Sequence, residues 1–63
     1  MIYLLMTWYG DGDEPQLQMV ESRRDLYAAI AIFESRRLRY RVFRLLVNSD
    51  LTVSLFDEED NPV

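Results

Sequence analysis

Carboxylates and arginines are the main ionisable groups of this chain, and they are sorted along it. All seven basic residues are arginines between Arg23 and Arg44, and only Asp25 and Glu34 of the eleven acids lie in that window. Most of the other acids form two dense clusters, which indicates a binding surface. The turn cluster is Asp11, Asp13 and Glu14, and the tail cluster is Asp57, Glu58, Glu59 and Asp60.

The turn cluster begins like a calcium-binding loop, in which alternating oxygens surround the cation. The pattern fails at Pro15, where the next ligand would stand, and neither the required Gly nor the closing Glu follows at the correct spacing. The sequence has no His and no Cys, so a zinc site would have to be built from carboxylates alone. We therefore expect neither a metal nor a cofactor.

The chain offers few groups for catalysis. Paired carboxylates perform acid–base chemistry only where burial or neighbours separate their pKa values, and clusters on a turn and a tail are expected to be solvated. The serines have no His to activate them, and the chain has no thiol, no Lys and no glycine-rich phosphate loop. We expect a protein without enzymatic activity and without catalytic residues.

Residues 39–44 interleave arginines with aromatic side chains, as single-strand nucleic-acid binders do. On a strand, Arg39 and Arg41 would share a face with Phe43, whereas Arg44 would point the other way, so neither face is purely basic. The net charge of −4 opposes binding to nucleic acid or anionic lipid, because polyanions are bound by excess Lys and Arg. We expect no direct contact with nucleic acid or membrane.

Four segments favour β-strands: three are rich in β-branched and aromatic residues next to turn residues, and the second alternates polar and apolar residues. They span residues 2–9, 16–20, 39–47 and 51–56. The first is apolar on both faces, so it needs cover on both sides. The second is short, and without it the topology has three strands.

Ser22 followed by Asp25 fits a capping box, which predicts a helix from residue 23 to about residue 37. One stripe of this helix is expected to pack on the sheet. That stripe is Leu26, Ala29, Ile30 and Phe33. The helix is more apolar around its circumference than packing on one side requires, so its back is a candidate interface for a dimer or a partner. The residues of this helix back are Tyr27, Ala28, Ala31 and Ile32.

These elements predict an α+β fold in which one helix packs on a small antiparallel sheet, with the order ββαββ or, without the second strand, βαββ. With four strands the two acidic clusters would lie at the same end of the sheet, and with three they would lie at opposite ends. Residues 1–63 form one domain, near the size at which a single core barely offsets chain entropy, so a homodimer is expected. The sequence leaves open whether the acidic tail, residues 57–63, is ordered or flexible.

A short acidic chain with two carboxylate clusters resembles the small inhibitors that phages make against host nucleic-acid enzymes, some of which are DNA mimics. Duplex DNA carries a negative charge about every 1.7 Å of its axis, and a protein imitates this by fixing several carboxylates on a rigid frame. The resemblance implies that the turn and tail clusters bind and inhibit a DNA-binding host protein. Gyrase is the first expectation, followed by RNA polymerase or a defence nuclease.

The alternative is a hydrophobic protein–protein interaction or dimerisation module without DNA mimicry. For either function we expect a cytoplasmic protein, in the host cytoplasm if a phage encodes it, because no bilayer-spanning run or cleavable leader is evident.

Overall fold

The computed structural model describes residues 1–10, 12 and 14–63 and confirms the α+β fold. The elements are β1 (Ile2–Trp8), β2 (Gln16–Val20), α1 (Arg23–Ser35), β3 (Arg39–Val47) and β4 (Val53–Phe56). The strands form one antiparallel sheet in the order β2-β1-β3-β4. The second strand therefore exists, and the three-strand alternative is excluded.

The N-terminus of α1 is capped as the sequence predicts. Ser22 has an extended backbone, and its Oγ accepts a hydrogen bond from the Asp25 N–H at 3.1 Å. This bond satisfies one of the amide groups that have no partner within the first turn of a helix.

The C-terminus of α1 lies at Ser35, two residues earlier than the predicted end. The chain leaves the helix through Arg37, which has a φ of 55°. The Arg37 N–H donates to the Glu34 carbonyl at 3.1 Å, and the Leu38 N–H donates to the Phe33 carbonyl at 2.8 Å. These two bonds form a Schellman motif, which ends the helix and turns the chain into β3.

The hydrophobic core lies between α1 and one side of the sheet, which we call the covered face. Leu26 and Phe33 are buried there, and Ala29 and Ile30 pack against the same cluster, so the predicted helix stripe is confirmed. Leu5 in the central strand β1 is completely buried.

The strand β4 begins later than predicted. Leu51 has a φ of 69°, so it belongs to the turn, and β4 begins at Val53 instead of residue 51. The Asn48 N–H donates to the Thr52 carbonyl at 2.8 Å. Asp50 Oδ1 accepts from the Thr52 N–H at 3.1 Å and from its hydroxyl at 2.6 Å, and the hydroxyl bond is the main cause that lowers the pKa of Asp50.

Residues 57–63 turn back and run beside β4. Asp57 Oδ1 accepts from the amides of Glu59 and Asn61, both at 2.9 Å. The Val63 N–H then donates to the Leu55 carbonyl at 3.0 Å, on the side of β4 that faces away from β3. The outer edge of β4 is thus partly covered by the end of the chain.

Candidate interaction surface

The side of the sheet turned away from α1 is an extended, mostly apolar surface, and none of the described residues forms a layer over it. We call it the open face. Opposed residues of antiparallel strands point to the same side, so the strand register defines which residues belong to this face. Of its thirteen strand residues, two are charged, Arg39 and Arg41. The other eleven are apolar, namely Ile2, Leu4, Met6, Trp8, Leu17, Met19, Phe43, Leu45, Val47, Val53 and Leu55.

The open face is most exposed on β2 and beside the β3–β4 turn. The side chains concerned are Leu17, Met19, Val47 and Val53, which are 63, 60, 53 and 56% exposed. Its centre is tighter, because Phe43 is buried and the Arg41 guanidinium lies 4.9 Å from the centroid of its ring. Apolar side chains are thus exposed near both edges of this face and less so at its centre.

The two arginines of the open face lie together at one end of it, where β3 begins. The Arg39 guanidinium stacks on the Trp8 ring at 4.3 Å from its centroid, a distance typical of a cation–π contact. Trp8 and Arg39 line a shallow pocket together with Met6 and Arg41. The rest of the open face is therefore free of charged strand residues.

The tail cluster lies beside the arginine window instead of standing clear of it. Glu58 Oε1 accepts from the Val42 N–H at 3.0 Å, and its Oε2 lies 3.4 Å from Arg41 Nη2. The bond from Val42 is the largest cause that lowers the pKa of Glu58 below its ordinary value, and Arg41 adds a smaller effect. Asp60 Oδ1 pairs with Arg44 Nη2 at 3.0 Å. Neighbouring guanidinium groups thus offset part of the negative charge of this cluster.

The turn cluster is described only at Glu14, which is exposed just before β2, whereas Asp11 and Asp13 lie outside the described residues. The strands that precede the two clusters, β1 and β4, run in the same direction, as the four-strand topology requires. The last residue of β1, Trp8, pairs with Arg39 of β3. Glu58 bonds Val42, which lies three residues further along β3, or roughly 10 Å from Arg39 at the usual strand rise. The DNA-mimic outline remains a prediction.

The helix back forms a second, smaller apolar surface on the other side of the molecule. Tyr27, Ala28, Ala31 and Ile32 are all exposed, as the sequence predicts. Ala28 and Ile32 line a groove between α1 and β2 together with Met19. Apart from this groove at the β2 edge, the helix back and the open face lie on opposite sides of the sheet, so variants at Tyr27 and Ala31 test the helix back separately.

Sequence reasoning missed the open face as one surface. It identified a first strand that is apolar on both sides, but it did not combine one of those sides with the apolar sides of the other strands. Phe43, Leu45 and Val47 alternate along β3 and were the available signal. Only the register, which sets Leu45 opposite both Ile2 and Leu55, shows that three strands contribute to the same surface.

Comparison of the chain with protein-family models, with curated proteins and with solved structures finds no match. Within the described part of the chain, no helix is long and apolar enough to span a bilayer. The same residues contain no group of three or more potential metal ligands placed to hold an ion. The calcium-like segment depends on Asp11 and Asp13, which lie outside those residues.

Proposed function

We propose that this protein is a non-enzymatic interaction module that binds a protein partner by burying its open face. The observation that carries the proposal is the open face itself, where eleven of thirteen strand residues are apolar and none is covered by a second layer of described residues. Each 100 Å² of apolar surface removed from water contributes about 2.5 kcal/mol before the costs of association. Burial of this face therefore favours association.

The DNA-mimic inhibitor has less support from the geometry. Mimicry needs carboxylates that are available to a partner, and Glu58 and Asp60 already pair with arginines of β3. Inhibition of gyrase, RNA polymerase or a defence nuclease through the two acidic clusters is therefore a separate prediction, which differs from ours in its dependence on salt.

The proposal is tested by making the open face polar without changing the net charge. Val47 and Val53 face each other across β3 and β4, and both are more than half exposed. Replacing them together, Val47→Glu with Val53→Lys, places opposite charges across the strand pair, which preserves the hairpin. The tagged protein is incubated with a lysate of cells that also express an untagged copy of the chain. We expect the amount of captured protein, counting both the untagged copy and other proteins, to fall at least about tenfold, because two charges would be desolvated at the contact.

The matched control carries the same two charges on the helix back. Tyr27→Glu with Ala31→Lys forms a favourable pair four residues apart on α1 and again leaves the net charge unchanged. Capture should be retained by this variant. If it loses capture while the open-face variant keeps it, the helix back is the interface and the proposed use of the open face is wrong.

A further inference from the structure

We infer that the partner of the open face is a second copy of this chain, packed face to face with its strands antiparallel to those of the first. This inference rests on the proposed function, since it names the occupant of the same surface. In this dimer the β3–β4 turn of each copy lies over the arginine end of the other copy. Leu51 at the tip of that turn then enters the pocket beside Trp8 and Arg39.

The size of the open face fits what a stable dimer needs. The four strands have seven, five, nine and four residues, so at the usual spacing and rise they cover roughly 19 by 21 Å, or about 400 Å² in projection. Side-chain relief raises the accessible area towards the roughly 800 Å² per partner of a standard interface. Two such faces packed about 10 Å apart would form a β-sandwich with an apolar interior.

The charges at the two ends of the open face decide its orientation. Arg39 and Arg41 lie at one end, and Asp50 lies in the turn beyond the other end. A parallel arrangement would bring the arginines of the two copies towards each other. The antiparallel arrangement instead brings the arginines of each copy towards Asp50 of the other, so the ends are complementary in charge.

Leu51 is an unfavourable choice of residue for the isolated chain. Its φ of 69° is a conformation that favours Gly, Asn or Asp and costs a Leu roughly 1 kcal/mol. Its side chain is also 85% exposed, so burial within the chain does not offset that cost. A residue that breaks a local rule without an internal gain indicates a function, and a large apolar side chain at a turn tip suits an anchor in a partner's pocket.

The decisive experiment is sedimentation equilibrium of the wild type and of Leu51→Gly over a range of concentrations. We expect the wild type to approach twice its 7.5 kDa mass. Leu51→Gly should raise the dimer dissociation constant at least about tenfold, because an anchor is lost. The Leu51→Gly monomer should be no less stable to urea than the wild-type monomer, because Gly adopts a positive φ without steric cost. Loss of the dimer therefore cannot be attributed to unfolding.

The matched control is Arg37→Gly, which puts Gly at a second exposed position of positive φ, in the connection between α1 and β3 and outside the strands of the open face. Its dimer should be as tight as that of the wild type. A wild type that stays at 7.5 kDa up to about 1 mM would overturn the inference, since interfaces of this size bind at micromolar concentrations or tighter. An unchanged dimer in Leu51→Gly would also overturn it.

The variant pair Val47→Glu and Val53→Lys separates this inference from the proposed function. If the wild type is monomeric but this variant still loses captured proteins, the open face binds a different protein, and only the inference fails. The other outcome is a wild-type dimer that this variant leaves intact, together with unchanged capture. The open face is then not a contact surface, and the inference and the proposed function both fail.

Discussion

Glu58 makes two contacts with β3, and each uses a different carboxylate oxygen. One oxygen accepts a hydrogen bond from the Val42 N–H. The strand β4 does not reach Val42, because it pairs with β3 only from Arg44 onwards. The other oxygen lies 3.4 Å from the Arg41 guanidinium. Glu58 thus serves the fold by completing the edge of β3, and this use competes with presenting its charge to a partner.

The lowered pKa of Glu58 gives a prediction for stability against pH. A carboxyl group whose pKa is lower in the folded state contributes stability above its unfolded pKa and loses that contribution as the pH falls through the folded value. Wild type should therefore be more stable than Glu58→Gln at neutral pH, by less than about 1 kcal/mol because the side chain is half exposed. The difference should shrink below a pH of about 4.5. Urea unfolding at a series of pH values measures it.

The control for the removal of one charge is Glu59→Gln. Glu59 is the next residue in the same turn, and its carboxylate has no salt bridge or hydrogen bond to another described residue. This variant should match the wild type across the series. A stability difference in Glu58→Gln that persists undiminished at acid pH would refute the assigned role of the Glu58 charge.

At the scale of elements, the end of α1 makes a second prediction for stability. Arg37 occupies the left-handed position of the Schellman motif, where Gly is preferred because it has no Cβ. Arg37→Gly should raise the free energy of unfolding by about 0.5–1 kcal/mol. The neighbouring Arg36 has a φ of −96°, so Arg36→Gly should not stabilise the protein. Equal effects of the two substitutions would contradict this account.

Most elements could be predicted from the sequence because their signals are local. The capping box at Ser22 fixed the start of α1, and the bounds of β2 and β3 follow from polar and apolar patterns flanked by turn residues. The start of β4 was wrong by two residues, because Leu51 continues the β-like alternation while its backbone is left-handed. No residue-level preference predicts a Leu in that conformation.

The candidate site was less predictable because it depends on contacts between distant segments. The sequence identifies Glu58 and Asp60 as acids in a dense cluster, but their pairing with Arg41 and Arg44 arises only when residues 57–63 turn back beyond the end of β4. Turn-forming Asp57 and Asn61 were the local signal for that return.

At the scale of the whole molecule, charge and apolar surface favour different functions. The net charge of −4 and the two acidic clusters led to the comparison with DNA mimics, whereas the open face is almost free of charge. A chain of this size buries too little surface for high stability on its own, so covering a large apolar face also contributes to folding. Partner binding and stability are therefore coupled in this account.

The salt dependence of partner capture tests the central claim most directly. From about 0.1 M to about 1 M salt the screening length falls from about 10 Å to about 3 Å, which weakens contacts between exposed charges but not apolar burial. We predict that the proteins captured by the wild type at low salt are retained within about twofold at high salt. A loss of tenfold or more, reproduced at low salt by changing residues 57–60 to Asn and Ser, would show that the carboxylates carry the binding and would contradict the account.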